Sequence, residues 1–370
     1  MKQNFGKFQK PIALILVSLF VSSCGRDIPS VEKLNKAVDT LAISASDISA
    51  DMYGSCIRAT KFFGTPGSPS ILSERQPEEK FCDDNYQQIS SDVGDANQVL
   101  IDYVNVLVLL AKGESEKGKP ISFDESYKNL GDSLTNLKFS SSRAAEPQAV
   151  FKPEDVQAGV AIAKFLTNIF TKEKRRSKLK EAVLCTDSDI QAYVKGKGAV
   201  EGQPEPGGLI AIANKVYVNG LLVEEEISIR TYFTQYIVVF EDELKKNPLE
   251  FMALEEKYNN AMDLVRNRKQ NAQTYTEILR NLASLHADIK EEFAKDGDVP
   301  LTGEKFDKYC HDILKSSQTK AVDKGQSQEI KPETMRRVQV IIAKHMKVIE
   351  PLLQKIEREN IKYKLDQGVK

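Results

Sequence analysis

The chain has 370 residues, 41% hydrophobic and 28% charged, with 52 Lys and Arg against 53 Asp and Glu. A net charge of −1 lacks the basic excess of a nucleic-acid-binding surface, and so much charge excludes a body embedded largely in a bilayer. Tryptophan is absent and there are five cysteines.

The N-terminus reads as an export signal. Lys2, Lys7 and Lys10 make a positive segment without acids, and Pro11 to Phe20 is an apolar segment of ten residues containing one serine, Ser18. Spanning a bilayer core takes about 20 apolar residues, so this run is too short. Val21-Ser22-Ser23-Cys24 follows. This resembles the lipobox of bacterial lipoproteins: an aliphatic residue, two small ones and an invariant cysteine. The resemblance covers residues 1–24 only. It implies that residues 1–23 are cleaved and that Cys24 carries a thioether-linked diacylglycerol. It also implies attachment to a bacterial membrane, the outer one in a host with two, because Gly25 rather than Asp follows. Loss of the three lysines takes the net charge from −1 to −4. Only Gly25 to Pro29 then separate Cys24 from a helix N-cap at Ser30, so the folded body is expected close to the bilayer.

Helical periodicity dominates the rest. Residues 31–63 and 78–112 are predicted as two helices joined by a Gly-, Pro- and Ser-rich loop, making an αα-hairpin. Cys56 and Cys82 flank that loop, which favours their pairing. Of the three connectivities open to four exported cysteines, Cys185–Cys310 then follows by exclusion. Ser122 and Glu125 form a capping box before Phe123, Tyr127, Leu130, Leu134 and Leu137, one apolar helical face. Pro153 opens a helix to about 195, with room for a break. The segment KGKGAVEGQPEPGG is the boundary expected between an N-terminal region, 24–200, and a C-terminal region, 209–370.

Residues 209–246 are ambiguous. Asn219-Gly220 is a hairpin signal, allowing a β-hairpin near 215–223. The spacing of Leu209, Ile212, Val216, Val223 and Ile227, then Phe233, Ile237, Phe240 and Leu244, favours helix. Across 249–294 a heptad rhythm runs from Leu254 to Phe293, broken only by Arg268 and His286, in a helix roughly 65–70 Å long; it reads as packing inside the protein's own bundle, with pairing to a second chain as the alternative. A short helix spans 303–316, with Phe306, Tyr309, Cys310 and Ile313 on one side. Pro332 opens a last helix to about 364, with a face of Val338, Ile341, His345, Val348 and Leu352 and a kink at Pro351.

Motifs for chemistry are weak. Gly113 to Lys119 matches most of a P-loop, but Pro120 stands where the Mg²⁺-ligating Ser or Thr belongs, and a helix rather than a strand precedes it. His286 and His345 lie on apolar faces, as core or rim histidines do. His311 follows Cys310, where a disulfide beside a surface histidine fits better than a metal site. Asp187 and Asp189, and Asp296 and Asp298, lack the further ligands of a calcium loop and read as turn acids. No catalytic, cofactor-binding or metal motif emerges. The basic run Lys172, Lys174, Arg175, Arg176, Lys178 and Lys180 reads as a solvated face or a contact with an anionic surface. Val99 to Ala111 reads as a core helix or the lining of an acyl groove.

The expected fold is therefore all-α: an elongated bundle of long antiparallel helices. The expected function is that of a membrane-anchored envelope protein, a non-enzymatic scaffold using its heptad seam to bind another envelope protein and no nucleic acid. The alternative is a carrier or sensor of a hydrophobic ligand held between helices.

Overall fold

Apolar residues three and four apart make helix of most of the chain, and the buried faces of those helices merge into one core. The computed structural model describes residues 29–112, 130–140, 146, 148–170, 176–200, 202–203, 205–296, 303–316 and 330–366. The lipobox with Cys24, the capping box, Gly113 to Lys119, Lys172, Lys174, Arg175 and Asp298 lie outside them.

Helices α1 (Pro29–Thr60) and α2 (Ile71–Lys112) form the antiparallel hairpin. Cys56 and Cys82 bridge it, with Cα atoms 5.7 Å apart. α2 starts seven residues before the expected point and keeps Pro77 inside it. It is the one helix, among the described residues, long and apolar enough to cross a membrane. Its apolar residues Val99, Leu100, Ile101, Tyr103, Val104 and Val106 are buried within the bundle. Next come α3 (Leu130–Asn136) and a two-stranded ribbon of β1 (Lys138–Phe139) and β2 (Gln148–Ala149). Leu130, Leu134 and Leu137 are all buried, as their spacing predicts.

The helix expected from Pro153 is two: α4 (Pro153–Phe170) and α5 (Arg176–Lys195). The loop after α5 is held by Asp155 of α4, whose buried carboxylate accepts from the backbone N–H groups of Lys197 (2.9 Å) and Gly208 (3.1 Å). The chain continues as α6 (Gly208–Ala211), a π-helix (Ile212–Leu221) and α7 (Leu222–Val239). The β-hairpin allowed at 215–223 is not formed; Asn219-Gly220 sits inside the π-helix. Its i→i+5 turns are wider than α-turns, so buried positions advance from Ile212 through Val216 and Tyr217 to Leu221. That shift corrects the expected face: Glu225 and Ile229 turn inward, while Ile227 and Ile237 turn out.

A short α8 (Glu241–Lys246) leads to the long α9 (Pro248–Lys295), and α10 (Glu304–Ser316) and α11 (Pro332–Asp366) complete the fold. α9 runs about 72 Å at 1.5 Å per residue. Of its twelve seam positions, Leu254, Tyr258 and Ala261 are half-buried and the rest buried, packed against the chain's own helices. α10 is joined to α5 by Cys185–Cys310, Cα atoms 5.3 Å apart. On the expected face of α11, Val338 and His345 are buried and Ile341 and Leu352 half-buried, but Val348 is 50% exposed; the neighbouring Ile342, Met346, Ile349, Leu353 and Ile356 carry the deepest packing.

Candidate functional site

The two polar interruptions of the α9 seam each centre a buried network. His286 Nε2 lies 2.7 Å from the Tyr103 hydroxyl, itself 2.6 Å from Thr186 Oγ1. On its other side, Nδ1 lies 2.9 Å from Asp187 Oδ1, and Lys290 donates to Oδ2 at 3.0 Å. Burial alone would raise the Asp187 carboxyl; His286 and Lys290 overcome that and hold it at about 2. Nearby Asp189 has no such compensation, and burial pushes it up to about 6. Both aspartates lie within α5, which corrects their reading as turn acids. An acid–histidine–hydroxyl relay can in principle pass a proton. Here Tyr103 and His286 border an apolar cavity of only about 50 Å³ and tie α2, α5 and α9 together.

Arg268 centres the second network. It reaches Glu225 (3.2 Å) and Asp51 (3.5 Å), and Arg58 clamps the same two carboxylates at 2.8 Å each. Ser55 donates to Glu225 at 2.7 Å, and Tyr217 of the π-helix donates to Asp51. Two guanidiniums thus balance two carboxylates where α1, α7 and α9 meet. A cleft of about 290 Å³ adjoins, with Asp47, Asn267 and Glu359 in its walls.

Beyond this junction α7 and α9 run on as a pair, the arm, with Phe233, Leu254 and Tyr258 still packed on the core. The chain turns at Phe240 and Asn247; Pro248 opens α9, and Asn247 caps it by accepting from Glu250 N–H at 3.4 Å. The inner side is aromatic: Phe233 faces Tyr258 with centroids 5.5 Å apart, Tyr236 faces Phe240 at 4.6 Å, and Phe62 of α1 meets Tyr232 and Phe233. Exposed apolar side chains concentrate on both sides of this turn. Val238 is 69% exposed, Leu249 76% and Met252 63%, joined by Ile237, Val239 and Phe251. A groove of about 340 Å³ between α7 and α9 is floored by Phe233, Leu254 and Tyr258. The Phe240 ring rests on Gly67, in the α1–α2 loop, where an added Cβ would come within 2.7 Å of it; Gly67 also has φ +79°. The arm therefore lies at the C-terminal end of α1, about 48 Å along that helix from its start. Glu226–Lys269 (2.6 Å) and the Glu225 cluster brace its base.

The residues singled out in the sequence are only partly gathered here. Both disulfides form as paired. His345 bonds Asp288 at 2.9 Å, and His311 is exposed beside Cys310. The basic run needs correction: Lys180 is buried against Asp296, which withdraws it from any anionic surface, and Lys178 pairs with Glu181. Arg176 lies at the start of α5. Asp51, Arg58, Tyr217 and Glu225 went unnoticed, since each alone looks like an ordinary polar helical position. Comparison with known protein families, curated proteins and solved structures yields no match.

Proposed function

We propose that this is a lipid-anchored bacterial envelope protein that binds another protein through the apolar outer face of its α7–α9 arm. The carrying observation is the cluster of six exposed apolar side chains, Ile237, Val238, Val239, Leu249, Phe251 and Met252, on a braced pair of helices. Six exposed apolar side chains on either side of one turn exceed the scattered single hydrophobics of an ordinary surface, and Ile237 and Phe251 line one groove there. The heptad seam packs in the chain's own core, the first of its two readings, so a partner is left to the arm. The lipobox supports the anchor, and two disulfides suit an oxidising compartment. A hydrophobic-ligand carrier draws less support: the apolar cavity inside the bundle, about 50 Å³, falls far below the roughly 300–1,000 Å³ of ligand pockets, and the groove of about 340 Å³ that reaches that range is open on the surface of the arm.

The test is affinity purification from membranes of the wild type, Cys24→Ser and the double variant Phe251→Asp/Met252→Asp. Both arm residues are exposed, so the double variant should keep the wild-type melting temperature. Cys24→Ser is expected to lose labelled-lipid incorporation. The double variant is expected to keep the lipid and lose a protein that the wild type retains. Lipid labelling of Cys24→Ser, or identical protein partners for the wild type and the double variant, contradicts the proposal.

A further inference from the structure

Building on the arm as a docking surface, we infer that its occupant is an amphipathic helix of another protein whose apolar stripe is flanked by Lys and Arg. Shape comes first. Phe251, Leu254 and Tyr258 fall at i, i+3 and i+7 along α9, and Phe233 and Ile237 at i and i+4 along α7. Two antiparallel helices thus offer one groove with helical spacing on both walls. Such a groove accepts apolar anchors from a third helix at i, i+3 or i+4, and i+7.

Charge decides between occupants. Among the charges near the groove, Arg230 in its wall is paired with Glu226, and Lys245 with Glu241; exposed Asp242, Glu243, Glu250, Glu255 and Glu256 then stand against exposed Lys246 and Lys257, an acidic excess. An acidic rim repels an anionic bilayer. It also opposes a second copy, because a two-fold interface would set the same acidic rim against itself. A helix with basic flanks meets both the groove and the rim. Position agrees: the arm lies about 48 Å along α1 from the end that the lipid would hold at the membrane.

The test uses the purified full chain and a fluorescent peptide of about 18 residues, long enough for five turns. Its leucines stand at i, i+3, i+4 and i+7, with lysines on the flanks; a second peptide carries glutamates in their place. Anisotropy titration is expected to show binding of the lysine peptide at least about tenfold tighter than the glutamate peptide. Raising salt from about 0.05 to 0.5 M should weaken it. Phe251→Asp should weaken it about tenfold or more, at an unchanged melting temperature. Absent binding, equal affinity for the two peptides, preferred binding to phosphatidylglycerol vesicles, or self-association abolished by Phe251→Asp each overturns the inference. If the lysine peptide fails while Val238 or Met252 still cross-links to a protein in cells, the docking surface stands and the basic helix falls. If both fail, both fall.

Discussion

Glu225 is buried among Arg58, Arg268 and Ser55, and its loss would leave two guanidiniums sharing the single carboxylate of Asp51. Breaking a buried pair from one side costs about 3–5 kcal/mol. Glu225→Ala should therefore lower unfolding stability by that order, and a fall below about 1 kcal/mol in urea titration would deny the cluster its bracing role. Asp187 and Asp189 give opposite pH dependences. The folded-state pKa of Asp187 is depressed to about 2, so its stabilisation is complete above the unfolded value near 3.9 and is lost as pH falls toward 2. Asp187→Asn should remove that contribution, about 2 kcal/mol. Asp189 is raised to about 6, so its ionised form destabilises the fold at neutral pH and the penalty fades as pH drops through 6 to 4. Asp189→Asn should stabilise by on the order of 2–3 kcal/mol at pH 7 and by nothing at pH 4. Stability curves of the two variants from pH 2 to 8 check both signs.

At the level of elements, the π-helix packs where no extra atom fits. A Cβ at Gly220 would lie 2.4 Å from the Phe139 ring of β1. Gly220→Ala should cost about 1–3 kcal/mol through overpacking, read by thermal unfolding; a neutral change would mean that β1 yields freely. The Cys56–Cys82 bridge closes a 26-residue separation, and Cys56→Ser/Cys82→Ser should cost about 3 kcal/mol by loop entropy. These elements differ in how far the sequence announces them. The α9 seam was legible because steps of four and three persist over its length. Its two polar interruptions, Arg268 and His286, were the visible trace of both buried networks. Their partners come from distant helices, and no local pattern ties Asp51 to Glu225 or Asp187 to His286. The π-helix was hidden because apolar spacing does not record which carbonyl each N–H chooses. The faces of α7 and α11 slipped for a related reason: neighbouring apolar positions such as Val348 and Ile349 serve a 3.6-residue stripe about equally well, and only packing decides.

For the whole molecule, one core spans both halves of the chain, and the seam packs inside its own bundle, which leaves the alternative of pairing with a second chain without a free face. Among the exposed large hydrophobics of the described residues, six fall at the arm, Ile237, Val238, Val239, Leu249, Phe251 and Met252; exposure, not sequence, sets them apart from core residues. Under the proposal, lipid holds the near end of α1 and the arm displays its apolar face at the far end. The most direct measurement is photo-cross-linking in intact cells from probes at Val238 and Met252, with exposed Ser46 on α1 as the reference position. Adducts to one protein from Val238 and Met252, absent from Ser46, are the expected result. Adducts to lipid alone, no adduct, or the same adducts from all three positions would contradict a protein-docking arm.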